Sequence, residues 1–450
     1  MNYWTVKHLE EATAGVWLTQ PNELNITGIS TDSRAIKPGN VFVALKGENF
    51  DGHDHLDQAI TRGACAAIVS REIPSSIRLY KVDDTLAALQ QLASHYRDAL
   101  RNSGTKVIAV TGSNGKTTTR HLIHAVLSAQ LSGSQSPNSF NNHIGVPLTL
   151  LAASPEDDFV VAEVGSNHPG EIKLLAKILC PDAAIITNIG TAHIGNFGSR
   201  EAIADEKSNL LNTIEPDGLA VIPNDEPLLD QAIENIVDRV QIMCIGNDVQ
   251  CTGQSSGMPA QLIVLAGGEH MDISLPLLGE HNITNALVAI AIGQWLGLDS
   301  NTITDALAKI QPVDMRAQII KRGDITFIND AYNANPDSMR CAINMLANIE
   351  TPGRRVAILG DMFELGDLGP DAHRAIGEQL VELGGRIDLV VLIGKLSMNA
   401  AHALSQEKVQ TFVQYNDQLP RLVAAMLQPD DLVLIKASRG MALERLIPDL

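Results

Sequence analysis

Residues 109–122, AVTGSNGKTTTRHL, bring together two glycines, a lysine and a run of hydroxyls. Glycines let backbone N–H groups approach phosphate oxygens, and a helix opening just after them adds partial positive charge. Lys116 would then reach the terminal phosphates of a nucleotide, and the Thr117 hydroxyl would sit on magnesium. The usual loop, G-x-x-x-x-G-K-[ST], wants a glycine at position 110, which is valine here. The stretch reads G-x-x-G-K-T from Gly112. It is therefore either a shorter nucleotide loop or a glycine-rich turn before an ordinary helix. A magnesium–nucleotide site also wants a carboxylate at a neighbouring strand end. Glu163 offers one, since four apolar residues lead up to it in FVVAEVGSNHPGEI.

A lysine stands in an unexpected place. In SREAIADEKSNLLNTI (199–214), Ile203, Lys207, Leu210, Leu211 and Ile214 share one helical stripe. Two readings stay open. The stem packs and the ammonium escapes to water, or the amine is desolvated, its pKa falls and it becomes reactive. A neutral amine can take up CO₂ and become a carbamate, an oxygen ligand for a metal. His193, in the loop after AAIITNIG, is a candidate second ligand.

These residues need elements to carry them. KVIAVTG, DFVVAEVG, AAIITNIG and LAVIPND are short apolar runs, the mark of strands buried on both faces of a parallel sheet. Leu122, Ile123, Val126 and Leu127 give the helix after the loop a core-facing stripe. DITFIND, VAILGD, DLVVLIG and DLVLIKAS repeat the scheme near the end, while AAIVS and LYKV suggest short strands near the start. Breaks at RNSGT (101–105) and IQPVDMRAQ (310–318) divide the chain into 1–103, 104–313 and 314–450. The expected fold class is α/β in three domains, with ligands at the carboxyl ends of strands.

The composition excludes several functions. At 450 residues, with 45% hydrophobic and 19% charged residues, the chain is that of a globular protein of two or three domains. A net charge of −19 argues against nucleic acid. Five cysteines without C-x-x-C pairing suggest no disulfide framework or zinc site and fit a reducing cytoplasm. Glu10 and Glu11 interrupt any signal-peptide core, and Trp4, Val6 and Leu9 suit a short amphipathic helix. NALVAIAIGQWLGL (285–298) is too short to span a bilayer and reads as a buried helix. A monomer acting away from membranes is expected.

Several stretches together resemble the Mur ligases, ATP-dependent amide-forming enzymes of bacterial peptidoglycan synthesis. TGSNGKTTT is similar to their phosphate loop, which has this shorter glycine spacing. STDSRAIKPGNVFVALKGENFDGHDH (30–55) resembles the uridine-nucleotide-binding first domain of members acting on the longer muramyl peptides. NSFNNHIGVPLTLL, AEVGSNHPGEI, TNIGTAHIGNFGS and GEHNITNALVAI resemble successive central-domain motifs. NDAYNANPDSM (329–339) and GDMFELGDLG (360–369) resemble the member that joins D-alanyl-D-alanine to UDP-N-acetylmuramoyl-tripeptide. The Asp-Asn-Pro-Arg typical of the preceding ligase is absent.

The resemblance implies a small α/β UDP-binding domain, a central P-loop-type parallel-sheet domain for ATP and a Rossmann-like third domain for the dipeptide. It implies that Thr111, Gly112, Ser113, Asn114, Gly115, Lys116, Thr117 and Thr118 bind ATP, with Asn282 near the adenine and Arg316 and Asp330 holding the nucleotide from the third domain. Two magnesium ions are implied, one on Thr117 and Glu163, the other on His193 and a carbamylated Lys207. Substrate contacts would come from Ser33, Arg34, Lys46, Asp51, Gly52, His53, Asn141, Asn142, Tyr332, Asn333, Asn335 and Arg439. One departure is local: relatives commonly carry a glutamate two residues after the modified lysine, whereas this chain has Asn209. Two rival functions are an amide ligase of the folyl-polyglutamate-forming kind and a non-catalytic P-loop nucleotide-binding switch. The first leaves the uridine-type domain unused; the second leaves Lys207, His193 and the third-domain motifs without a role.

Overall fold

The computed structural model describes residues 3–21, 23–255 and 259–447, and these form three sheets. The first contains β1 (Val16–Trp17), β2 (Gly28–Ser30), β3 (Asn40–Val43), β4 (Ala66–Val69) and β5 (Arg78–Lys81) in the order β1-β5-β4-β3-β2. Only β1 runs antiparallel to its neighbour. The helix Thr85–Ser103 follows, capped by the Asp84 side chain and ended by Gly104 at φ +90°, the left-handed stop a glycine supplies without strain.

The second sheet has nine strands: β6 (Lys106–Thr111), β7 (Gly133–Gln135), β8 (Phe159–Glu163), β9 (Ala183–Ile186), β10 (Leu219–Pro223), β11 (Gln241–Ile245), β12 (Val249–Gln254), β13 (Ala260–Ala266) and β14 (Glu269–Leu275). Their order is β14-β13-β12-β11-β10-β9-β6-β8-β7. From β7 to β11 all pairs are parallel, and β6, β8 and β9 are buried along nearly their whole length, as their unbroken apolar runs require. Parallel pairing continues to β11–β12 and ends there. The sheet is extended by an antiparallel hairpin in which Ala266 pairs Glu269 across Gly267-Gly268, both at positive φ. That is the two-residue turn such a hairpin needs, and Met271, Ile273 and Leu275 alternate inward behind it. The segment 285–298 lies in the buried helix Glu280–Trp295 and just beyond it, against the phosphate-loop helix Lys116–Leu127. Among the described residues no helix is long and apolar enough to cross a membrane.

The third sheet orders β15 (Gln318–Arg322), β16 (Ile325–Asn329), β17 (Arg355–Gly360), β18 (Leu389–Ile393), β19 (Val409–Phe412) and β20 (Leu432–Lys436) as β15-β16-β20-β17-β18-β19, parallel apart from β15.

The two junctions differ in kind. One apolar core runs without a break from Leu9 and Leu89 in the first segment to Val107, Leu175 and Leu211 in the second. Arg97, on the helix before β6, seals that seam: buried, it donates to the carbonyls of Leu179 and Cys180 and to Asp182 at 2.8 Å. The third sheet's cores take in Leu278 and Ile194 from the second segment, and it meets the phosphate loop through polar contacts.

Candidate active site

The strand order places the chemistry. The chain leaves β6 for β7 and β8 on one side and later for β9 on the other, so the ends of β8, β6 and β9 flank a switch point, where an α/β sheet opens a crevice. Register sets them level: Val110 pairs Glu163, and Thr111 pairs Ile186. Glu163 therefore stands beside the first residues of the loop, although the two are far apart in sequence.

The loop itself is braced from behind. Asn114 N–H donates to Asn188 Oδ1 at 3.0 Å, Thr187 Oγ1 donates to the Asn114 carbonyl at 2.6 Å, and Gly190 N–H donates to Ser113 Oγ at 2.8 Å. Gly112, at φ +147°, leaves no room for a side chain: a Cβ would come within 1.9 Å of Thr187 Oγ1. Thr111, Thr117 and Thr118 are buried, and Lys116 Nζ donates back to the Gly112 carbonyl at 2.8 Å. Burial lowers the Lys116 pKa, Glu163 opposes that, and Arg316 adds to it.

Glu163 is 1% exposed. Its Oε1 accepts from Asn141 Nδ2 at 2.8 Å, while Oε2 accepts no hydrogen bond among the described residues. A buried carboxylate oxygen left this way has lone pairs for a cation, so the residues present fit magnesium at Glu163 and Thr117.

Lys207 is 4% exposed at the end of the helix Arg200–Ser208, so its ammonium does not escape to water. The helix is shorter than its periodicity suggests, giving way to a 3-10 turn at Leu211–Thr213. Burial, and then the Lys116 charge, bring the Lys207 pKa to about 7, against a weaker pull from Glu206. Glu206 is engaged elsewhere, accepting from Gly170 and Ile172 N–H at 2.7 Å each. A lysine that is neutral in a large fraction of molecules near pH 7 fits the CO₂-accepting role. His193, at φ +59°, feels both Lys116 and Lys207, and burial lowers its pKa despite Glu364. No group of three or more His, Cys, Asp and Glu side chains gathers as a metal cluster among the described residues. The expected ligand set differs from such a cluster, since it mixes a hydroxyl, a carboxylate, an imidazole and a carbamate.

The third segment closes over this crevice. Arg316 Nη2 donates to Thr117 Oγ1 at 3.0 Å and its guanidinium lies 4.3 Å above the Tyr332 ring. Tyr332 OH meets Ser139 Oγ at 2.5 Å, and Asn335 Nδ2 donates to Asn114 Oδ1 at 2.8 Å. Asp337 Oδ2 accepts from Thr191 N–H and Oγ1 at 2.7 and 2.8 Å, and Glu364 Oε2 sits 2.5 Å from His193 Nδ1. Asp330 is held by Lys436 Nζ at 2.6 Å and by Ala317 N–H, and the same Lys436 reaches the Asn333 carbonyl. Asn282 is buried, donating to the Leu278 carbonyl and accepting from Asn285. Arg439 pairs with Glu444 at 2.6 Å.

Other expected residues stand apart. Ser33 Oγ donates to Gln58, Arg34 pairs with Asp32, the backbone of Lys46 forms an isolated antiparallel β-bridge with that of Asp51, and Asp51 caps the turn at Gly52 and holds His53. These belong to the first sheet's loops. Asn142 Oδ1 caps the helix Gly145–Ala152 by accepting from Ile144 and Gly145, which leaves its amide free to donate. Sequence reasoning missed Asp337, Glu364, Ser139, Lys436 and Arg120. Asp337 sits in a motif singled out for other residues, and only the fold shows it reaching Thr191.

Comparison with known proteins adds an independent line. Residues 25–97 match the family described as Mur ligase family, catalytic domain, residues 110–293 the Mur ligase middle domain, and residues 315–439 the Mur ligase, glutamate ligase domain. The chain is 39% identical to the UDP-N-acetylmuramoyl-tripeptide--D-alanyl-D-alanine ligase of Bacillus subtilis, over 99% of this chain and 98% of that one. A crystal structure of MurF from Acinetobacter baumannii superposes with a TM-score of 0.89 at 35% identity, over 99% and 98% of the two chains. MurF ligase from Thermotoga maritima, solved in complex with ADP, superposes at 0.81 with 28% identity, over 94% and 96%. The chain belongs to the Mur ligase family.

Proposed function

We infer that the chain is an ATP-dependent ligase that joins D-alanyl-D-alanine to UDP-N-acetylmuramoyl-tripeptide, forming the pentapeptide precursor of peptidoglycan. The observation that carries this is end-to-end similarity to ligases of that name, matched by a phosphate loop, Glu163 and third-segment side chains meeting in one cleft.

A carboxylate does not acylate an amine at neutral pH, because its leaving group is poor. In the proposed route a carboxylate oxygen of the tripeptide attacks the γ-phosphorus of ATP, and ADP leaves with the bridging oxygen. The amine nitrogen of D-alanyl-D-alanine attacks the acyl phosphate, a proton is lost to solvent, and the tetrahedral adduct expels phosphate. The first step brings two anions together. Lys116 supplies a fixed positive charge there, and the loop N–H groups and helix terminus bind the phosphate chain. Magnesium, when bound, offsets the remaining repulsion. Thr117 and Glu163 would hold one ion, and His193 with a carbamate on Lys207 the other. The carbamate forms when the neutral amine attacks CO₂ and releases one proton.

An acyl phosphate must be kept from water. Closure by Arg316, Tyr332, Asn335 and Asp337 supplies that shielding. The segments 1–103, 104–313 and 314–450 would hold UDP, ATP and the dipeptide in turn, with Ser33 to His53 near the UDP-sugar and Arg439 near the dipeptide carboxylate. Soluble nucleotide substrates put the reaction in the cytoplasm, and a monomer suffices for it. Tripeptide labelled with ¹⁸O in its terminal carboxylate tests the route. The label should appear in the released phosphate; unlabelled phosphate would exclude the acyl phosphate.

A further inference from the structure

A buried charge is expected to be paired and hydrogen-bonded. Arg120 is neither fully paired nor bonded. It lies on the helix Lys116–Leu127, four residues beyond Lys116 and so on the same face, and side chains on a helix lean back toward its N-terminus. Arg120 is 5% exposed, yet its Nε is buried and donates no hydrogen bond among the described residues. The facing carboxylate oxygen, Glu163 Oε2, is 3.6 Å away, beyond hydrogen-bond length, and it too accepts no hydrogen bond among the described residues.

The surroundings add to the imbalance. Arg316, closing from the third segment, also has a buried Nε without an acceptor among the described residues. Burial and the Arg316 charge both lower the Arg120 pKa, and Glu163 and Tyr332 oppose them. Lys116 feels both Glu163 and Arg316. Three cations thus face one carboxylate in a cleft roofed by Tyr332, an excess of two positive charges that a bound anion would offset. In the ligase reading, the helix terminus and Lys116 would serve the phosphates held by the loop. Arg120 stands beside Glu163, where the last phosphate of the chain would point out of the loop.

We propose that Arg120 is a catalytic residue whose guanidinium binds the oxygen anion in transfer, the phosphoryl group as it passes from the nucleotide to the carboxylate. This deepens the ligase reading and rests on it. A planar guanidinium takes two oxygens of a phosphoryl or carboxylate group at once, which the point charge of a lysine cannot do.

The test uses Arg120→Gln and Arg120→Lys in the full chain, with thermal melts to show that each folds. Affinities are measured for MgADP, and then, on the MgADP-saturated protein, for inorganic phosphate and separately for UDP-N-acetylmuramoyl-tripeptide. Arg120→Gln should leave ADP affinity within about threefold and weaken phosphate binding by roughly 10- to 100-fold, as loss of a charge-assisted bond does. Turnover should fall by roughly 100- to 1,000-fold, with Arg120→Lys recovering part of both losses. Weakened tripeptide binding with phosphate binding intact would keep the anion role and assign it to the carboxylate. Loss of ADP affinity equal to that for phosphate, or no change above threefold in either anion, would overturn the proposal. Arg120-dependent phosphate binding in a wild-type protein that turns over no muramyl substrate would overturn the ligase reading and leave Arg120 as an anion ligand.

Discussion

Replacing Lys207 with methionine should abolish ligase turnover and, at pH 7, make the protein more stable. Lys207 is 4% exposed, with its pKa brought to about 7 by burial and by the Lys116 charge. An unfolded lysine titrates near 10.4, so holding the charged amine in a site where its pKa is about 7 costs roughly 5 kcal/mol. Below pH 7 the amine is charged in both states, and the folded protein carries that whole cost. Between pH 7 and 10 the unfolded chain binds more protons, so stability rises with pH and the cost disappears above the unfolded pKa. Methionine has similar length and no charge, so it lacks this dependence. In CO₂-free buffer, wild type should gain about 2 kcal/mol more than Lys207→Met between pH 7 and pH 9, read by urea unfolding. Equal gains in the two proteins would refute the argument that the amine is desolvated.

Three further outcomes follow from the geometry. Gly112→Ala should raise the Kd for ADP by at least about 30-fold, measured by calorimetry, because its Cβ would collide with Thr187 Oγ1 at 1.9 Å in a backbone at φ +147°. Arg97→Met should destabilise the chain by about 3–5 kcal/mol in urea, since it leaves Asp182 short of a partner and two carbonyls unpaired at the seam between the first and second segments. Asp337→Ala removes both bonds to Thr191 and should lower kcat/KM by about 10- to 100-fold while barely moving the unfolding midpoint.

Much of the architecture was legible because buried parallel strands need unbroken apolar runs. KVIAVTG, FVVAE and AAIITNIG become β6, β8 and β9, and the break at RNSGT falls where Gly104 ends a helix. The hairpin β13–β14 went unread although Gly267-Gly268 and the alternation after it were present. Attention to continuous apolar runs hides a period-two strand. Lys207 was visible as a charge on an apolar stripe, but its environment was not. Its low pKa comes from burial and then from Lys116, which belongs to another strand–helix junction. The same limit explains Asp337 and Glu364. Each acts across the joint between the second and third segments, and sequence periodicity says nothing about which loop faces which. Arg120 follows a lysine-threonine run in the chain and looks like an ordinary helical residue. Only its three-dimensional setting, a buried Nε with no hydrogen bond among the described residues beside Glu163 at 3.6 Å, sets it apart.

The most direct measurement is phosphate release from ATP with UDP-N-acetylmuramoyl-tripeptide, with and without D-alanyl-D-alanine. If the chain is this ligase, sustained release occurs only when both are present, with one UDP-linked pentapeptide formed for each phosphate. Sustained release only with a single amino acid and a shorter UDP-peptide, or none with any muramyl substrate, would contradict it.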